Sequence, residues 1–147
     1  MEGDGAAGPQ PSDEAEFVGW SRFRGDDFEE LAGPFYWRRD EDGSVRCAFR
    51  AERKHLNGGG RMHGGCLMTF ADMALFAIAR RELGSSHAVT VALDNQFLDA
   101  AREGELIEAT GEVTRAGGSL VFVRGQVTSG ERTLLTFSGV IKKLRAR

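Results

Sequence analysis

The sequence predicts an α+β fold in which a curved, mostly antiparallel sheet of about six strands wraps around one long central helix. Residues 66–83 are strong helix formers that are apolar nearly all round, and segments rich in β-branched residues follow Ala88. A helix without a polar face must be enclosed on most sides, and a curved sheet is the simplest element that encloses it.

The N-terminal region predicts a tail and a short helix. Residues 1–12 lack periodic apolar positions and predict a disordered tail, so a single domain is expected to span residues 13–147. A short amphipathic helix is expected over residues 13–24, because its aromatic side chains recur at helical spacing: Phe17, Trp20 and Phe23.

Two strands and a loop are expected next. Phe35-Tyr36-Trp37 opens a strand, residues 40–43 predict a turn, and a second strand spans residues 45–53. Residues 57–61 are too rich in glycine for a regular element and predict a loop. The long helix follows and is expected to end before Gly84, since glycine commonly terminates helices.

The second half of the chain predicts strands. Gly117-Gly118 and residues 129–131 are short hairpin-type connections, so the last strands are expected to pair in sequence. The four predicted strands cover residues 89–98, 105–115, 120–128 and 133–144.

Composition excludes several function classes. The net charge of −3 excludes a nucleic-acid binder that works through a large basic field. Two cysteines, Cys47 and Cys66, are too few for a disulfide scaffold and predict free thiols in a reducing compartment, the cytoplasm. The longest apolar stretch, residues 66–79, contains Thr69 and Asp72, so no membrane span is expected.

Asp72 is the only residue with a formal charge between Cys66 and Ala79, within the apolar helix. A carboxylate in such surroundings is disfavoured unless it is paired, hydrogen-bonded or facing a cavity. Asp72 is therefore expected to reach the surface, to pair with an arginine, or to face a cavity where it takes part in chemistry.

The tripeptide His63-Gly64-Gly65 stands where that helix begins. The first N–H groups of a helix have no partner within it, so they bind an anion or a carbonyl oxygen that is becoming one. Glycine lets a ligand approach the backbone closely, which makes Gly65 a candidate substrate contact. The alternative is that the glycines only form a tight turn, capped by His63.

The spacing of these groups points to a symmetric dimer. Asp72 follows Gly65 by seven residues, which is roughly 10 Å along a helix. One chain cannot easily bring its carboxylate to an atom held by the N-terminus of the same helix. If both groups act on one substrate, the helix start of one subunit faces the acid of the other.

Asn57, His63-Gly64-Gly65, Asp72 on a long apolar helix and Thr90 entering a strand form a pattern that resembles the hotdog-fold acyl-CoA thioesterases. The resemblance covers residues 33–144 and is strongest to the PaaI-like, phenylacetate-pathway family. It implies a hotdog fold that hydrolyses acyl-CoA to free acid and CoA without cofactor or metal. It also implies a homodimer with the active site at the subunit interface, and a tetramer built from two dimers.

The resemblance implies a role for each of these residues. Asp72 matches the catalytic acid, which acts as a general base for water or as a nucleophile. The Gly64 N–H matches the group that polarises the thioester carbonyl, and His63 matches the histidine that shapes that turn. Asn57 matches the amide that orients the attacking group, and Thr90 matches a hydroxyl position.

Substrate contacts are expected on either side of these groups. Coenzyme A is anionic, so basic side chains should lie near the pocket mouth, with Arg61, Arg115 and the turn at Gly117 as candidates. Met68 and Phe76 are expected to line the acyl pocket. The alternatives are that the arginines are merely solvated and that the apolar side chains are ordinary core.

Thioester hydrolysis suits so small a set of groups. A thiol with a pKa of about 8.5 leaves without much help from a general acid, so a base and an oxyanion donor suffice. The three histidines and two cysteines lack the spacing of a zinc site. A second interpretation is a non-catalytic binder of acyl-CoA or a similar ligand, and a third is a hotdog dehydratase.

Overall fold

The computed structural model describes residues 10–11 and 15–145, in which one sheet of eight strands wraps around a helix. The strands are β1 (Gln10–Pro11), β2 (Ser21–Arg22), β3 (Tyr36–Arg39), β4 (Val45–Arg50), β5 (Ala88–Phe97), β6 (Leu106–Ala116), β7 (Leu120–Ser129) and β8 (Arg132–Lys143). Neighbouring strands are antiparallel, in the order β1-β2-β3-β4-β6-β7-β8-β5. This arrangement confirms the predicted α+β hotdog fold.

Strand order departs from chain order at one point. The strands β6, β7 and β8 pair in sequence through the two predicted hairpins. In contrast, β5 does not pair with β6 but crosses to the far side of β8, where it forms an edge of the sheet. The ladder between β5 and β8 is irregular between Thr90 and Ala92, so a bulge lies beside Thr90.

The central helix is interrupted near its end. It consists of α2 (Gly64–Ile78) and α3 (Arg80–Leu83). It begins earlier than predicted because His63 caps it, and it breaks at Ala79, where φ is −88° and ψ is 9°. Gly84 ends α3 with a φ of +57°, as predicted for a terminating glycine. None of the described helices is long and apolar enough to cross a membrane.

The helix expected over residues 13–24 is wrong. Residues 13 and 14 lie outside the described part of the chain. The remaining ones contain a 3₁₀ turn at Ala15–Phe17 and strand β2, joined by irregular backbone. The first α-helix comes later: α1 (Asp27–Ala32) begins after Asp26, whose side chain accepts the N–H of the third helical residue.

Packing on β3 explains the misleading aromatic spacing. The ring of Phe17 stacks on Tyr36 at 4.2 Å between centroids, and the ring of Phe23 stacks on Trp37 at 5.8 Å. Trp20 lies against an arginine guanidinium of the same strand. The aromatic spacing therefore reflects the packing of an irregular segment along β3 and does not indicate a helix.

The disorder expected over residues 1–12 is wrong at Gln10–Pro11. These two residues pair with Arg22 and Ser21 as strand β1. The other residues of the expected tail lie outside the described part of the chain.

Glycine residues on the sheet, which have no side chain, let α2 approach closely. A Cβ atom on Gly139 would lie 2.4 Å from the Cδ1 atom of Leu75, which is fully buried on α2. A Cβ atom on Gly111 would lie 3.0 Å from Ile78. Glycine at these positions therefore sets the depth at which the helix packs.

His55 ties the end of α1 to the loop before α2. Its Nε2–H donates to the carbonyl of Ala32 at 2.6 Å, and its Nδ1 accepts the N–H of Glu52 at 2.9 Å. These two bonds require the neutral ring with its proton on Nε2. Burial lowers the pKa of His55, and its carbonyl accepts the N–H of His63 at 2.8 Å.

We expect Gly125→Ala to destabilise the fold by about 1–3 kcal/mol through overpacking. The new Cβ atom would lie 2.2 Å from the carbonyl oxygen of Thr110 and 2.6 Å from the buried ring of Phe137. Gly118→Ala is the matched control, because nothing lies within 4 Å of its Cβ position. Urea unfolding measures both, and equal midpoints would contradict the packing argument.

We expect the contribution of His55 to the free energy of unfolding to fall as the pH drops from about 7.5 to about 5. The unfolded chain takes up a proton near pH 6.5, whereas the pKa of the folded histidine is lowered by burial. In His55→Gln this contribution is absent, so the free energy of unfolding of wild type relative to that of the variant should fall over the same range. Parallel changes in the two proteins would rule out the assignment.

Candidate active site

Asp72 projects from the middle of α2 into a cleft of about 930 Å³ between α1, α2, α3 and the start of β5. We name it the Asp72 cleft. Its wall combines apolar and polar side chains, and the polar ones include Asp26, Asp27, Glu29 and Arg80. Its apolar lining side chains are Phe23, Phe28, Met68, Met73, Phe76, Leu83 and Leu93.

A hydroxyl group orients the Asp72 carboxylate. The Oγ1–H of Thr90 donates to Oδ1 of Asp72 at 2.6 Å, and both residues are half-buried. Asp72 forms no ion pair with any side chain in the described ranges. Of the three alternatives drawn from the sequence, pairing with an arginine is therefore wrong, and Asp72 faces a cavity.

The start of α2 leaves one N–H group available. His63 caps the helix, and its Nδ1 accepts the N–H of Gly65 at 2.9 Å. The Gly64 N–H, in contrast, has no hydrogen-bond partner among the described residues. The ring of Phe97 lies close by, 3.3 Å from the position of a Cβ atom on Gly64. Both functions predicted for the tripeptide are therefore compatible: His63 caps the turn, and Gly64 keeps a free donor.

Asn57 orders the loop that leads to the helix. Its Oδ1 accepts the N–H of Gly59 at 2.9 Å and the N–H of Arg61 at 3.2 Å. A bridge between Leu56 and Met62 closes the base of the loop. In this chain the Asn57 amide contacts its own loop, and the structure gives it no contact with Asp72.

The acid and the backbone donor lie apart in one chain. Asp72 follows Gly64 by eight residues, a rise of roughly 12 Å along a helix. The residues lining the Asp72 cleft include neither Gly64 nor His63. One protomer therefore does not bring the two groups to a single reacting atom.

The expected substrate contacts divide into two sets. Met68 and Phe76 line the Asp72 cleft, beside the carboxylate. Arg61 is exposed in the loop before α2, and Arg115 and Gly117 are exposed at the hairpin between β6 and β7. The structure does not bring this second set to the Asp72 cleft.

Glu29 is a second acid of the cleft that the sequence analysis does not single out. It lies on α1, and burial, followed by the charges of Asp26 and Asp72, raises its pKa to about 8. The signal for α1 is present in the sequence, since an aspartate three residues before a glutamate resembles a capping box. Nothing in the sequence shows that α1 packs beside α2.

Nucleophilic thiol chemistry and metal binding find no support among the described residues. Burial raises the pKa of the Cys66 thiol to about 11, and it raises that of Cys47 further. Both are therefore protonated and unreactive at neutral pH. Within the described residues, no three His, Cys, Asp or Glu side chains lie close enough to hold a metal ion.

Comparisons with known proteins place the chain in a family. Residues 59–136 match the sequence profile of the thioesterase superfamily. The chain is 37% identical over 119 residues to a Pseudomonas aeruginosa protein named as a candidate esterase, covering 80% of this chain and 89% of that protein. It is 29% identical over 103 residues to human acyl-coenzyme A thioesterase 13, covering 69% and 73%.

Among solved structures, the PaaI protein of the Escherichia coli phenylacetic acid degradation operon has the same fold. Its TM-score is 0.72 at 20% identity, and the match covers 83% of this chain and 87% of that one. The profile match spans more than half of the chain and contains Gly64, Asp72 and Thr90. The chain therefore belongs to the thioesterase superfamily and is a thioester hydrolase with the hotdog fold.

Proposed function

We propose that the protein hydrolyses acyl-CoA thioesters to free acid and CoA, with Asp72 as the catalytic acid. The observation that carries the proposal is the Asp72 carboxylate itself, which faces the Asp72 cleft, forms no ion pair among the described residues and accepts a hydrogen bond from Thr90. The name of the human relative, an acyl-coenzyme A thioesterase, supports the substrate class.

Thr90 leaves the carboxylate ready to act. Its hydroxyl occupies Oδ1, so Oδ2 can take a proton from water that attacks the thioester carbonyl, or can attack it directly. The departing thiolate needs little help from a general acid, because a thiol pKa is about 8.5. Single-turnover hydrolysis in labelled water distinguishes the two routes, since direct attack carries the label into the Asp72 carboxylate.

The free N–H of Gly64 is the proposed oxyanion donor. It lies at the N-terminus of α2, where the helix dipole and an unpaired N–H both favour developing negative charge. His63 holds Gly65 in the first turn, which fixes the direction of the Gly64 N–H. Asn57 then acts as the residue that orders the approach loop and, in the assembled site, orients the attacking group.

A homodimer joined along β5 would complete the site. β5 is an edge strand with exposed apolar side chains, among them Val89 and Val91. Such an edge is a template for pairing with another chain. Thr90 lies near its start, beside Asp72, whereas Phe97 lies at its end, beside Gly64. Antiparallel pairing of two β5 strands places the start of one opposite the end of the other, so two composite sites form.

The face of the sheet opposite α2 supports the pairing of two such dimers into a tetramer. A polar groove of about 650 Å³ runs across this face. It is crossed by a row of exposed residues in register on four strands: Asp94, Ser138, Arg124 and Glu112.

The proposal includes a cytoplasmic location, because Cys47 and Cys66 are free thiols.

We expect Asp72→Asn to lower kcat by roughly 10²–10⁴, the usual range for a lost general acid–base group. The amide keeps the shape of the side chain and can still accept from Thr90, so the fold should persist. Glu103→Gln, an exposed acid outside the Asp72 cleft, is the control. Thiol release from a panel of acyl-CoAs measures both.

Activity of Asp72→Asn within about threefold of wild type would remove Asp72 from the mechanism. Wild-type protein that binds acyl-CoA but releases no thiol would favour the non-catalytic binder instead. The two outcomes are distinguishable, because the first concerns the variant and the second concerns the wild type.

We expect activity to return when Asp72→Asn is mixed with Gly64→Pro. Proline is tolerated at the first helical position and removes the N–H. In an equal mixture of freely exchanging subunits, about a quarter of the sites combine the intact acid with the intact donor. Gly64→Ala, which keeps the N–H, is the matched control. Heterodimers that form without regaining activity would show that the site does not span two subunits.

A further inference from the structure

Glu29 is one of the carboxyl groups that line the Asp72 cleft besides Asp72. It lies on α1, which packs against α2. The backbone of Glu29 is held in place, since its N–H donates to the side chain of Asp26 at 3.0 Å. Glu29 also lines a second, smaller crevice together with Phe35 and Met73.

The groups around Glu29 are predominantly acidic. The N-terminus of α1 contributes Asp26 and Asp27, α2 contributes Asp72, and β4 contributes the thiol of Cys47. Glu30 lies next to it on α1 and pairs with an arginine. A charged, half-buried Glu29 would therefore add a further negative charge to this acidic cluster.

The basic groups of the region lie on other segments. Arg22 and Arg24 precede α1, Arg80 begins α3, and His87 precedes β5. The guanidinium of Arg22 faces Glu30 at 3.8 Å. Burial, Asp26 and Asp72 all raise the pKa of Glu29, which reaches about 8.

We propose that Glu29 is a positioning residue of the Asp72 site, that its carboxyl group keeps its proton at neutral pH, and that loss of this proton shuts the site off. The proposal rests on the proposed function of Asp72. Two carboxyl groups with different proton affinities in one site commonly divide their roles in this way. Here the neutral acid adds no further negative charge beside Asp72.

Ionisation of Glu29 would oppose hydrolysis in two ways. A second negative charge in the cleft repels the oxyanion that forms on the thioester carbonyl. The same charge repels Asp26 and Asp72, which loosens α1 from the cleft wall. Glu29 thus acts through Asp72 and α1, and it exchanges no atom with the substrate.

The first test concerns the proton alone and requires no substrate. The folded protein holds a proton on Glu29 that the unfolded chain has lost above about pH 4.5, so wild-type stability should fall as the pH rises towards 8. In Glu29→Gln this loss is absent. Its Tm should therefore rise relative to wild type by a few degrees between about pH 5 and about pH 9.

Glu30→Gln, on the same helix, is the matched control and should show no such trend. A constant Tm difference between wild type and Glu29→Gln across that range would overturn the proposal. Glu29→Met, which also cannot ionise and favours the helix, serves as a second variant if the first folds poorly.

The second test is the pH profile of kcat/KM for acyl-CoA hydrolysis, corrected for spontaneous hydrolysis. Wild type and Glu30→Gln should lose about tenfold per pH unit above pH 8, where the acid of the free enzyme titrates. Glu29→Gln should lack this alkaline limb. We therefore expect its ratio of kcat/KM at about pH 9.5 to that at about pH 7 to exceed the wild-type ratio by about thirtyfold.

An alkaline limb that survives unchanged in Glu29→Gln would overturn the positioning role even if the Tm test succeeds. If wild type hydrolyses no acyl-CoA at any pH, the proposed function fails and the positioning role fails with it. The Tm test would still report on the proton, so the two failures are distinguishable.

Discussion

Burial of α2 beneath the curved sheet is the constraint on which the rest of the structure depends. The helix is apolar nearly all round, and Leu75 packs where Gly139 offers no side chain. Eight of its fifteen residues are buried and committed to packing. Asp72 is compatible with such a helix because it meets the hydroxyl of Thr90 on one side and the cleft on the other.

The sequence predicts those parts of the fold that local pattern controls. The strands after Ala88 follow their β-branched residues, and the hairpins follow their glycines. The placement of β5 beside β8 could not be predicted, because it depends on contacts between distant segments. The segment containing Phe17 and Phe23 is misleading for the same reason, since its spacing reflects packing on β3.

The candidate site likewise contains residues that the sequence predicts and residues that it does not. Asp72 can be predicted from the sequence, because it is a single charge in an apolar helix. Gly64 can be predicted because glycine stands where that helix begins. Glu29 cannot, since an ordinary glutamate becomes unusual only when α1 packs against α2. Arg61 and Arg115 show the converse: their charge is evident in the sequence, but the fold leaves them outside the Asp72 cleft.

The position of β5 has a consequence for biosynthesis. Thr90 is held in the sheet by pairing with Ile141 on β8, about fifty residues later in the chain. During translation at about 5–20 residues per second, the ribosome therefore releases the carboxylate of Asp72 several seconds before its hydroxyl partner can be anchored. The nascent chain becomes competent for chemistry only after β8 has emerged, and α2 gains its packing partner Gly139 at the same stage.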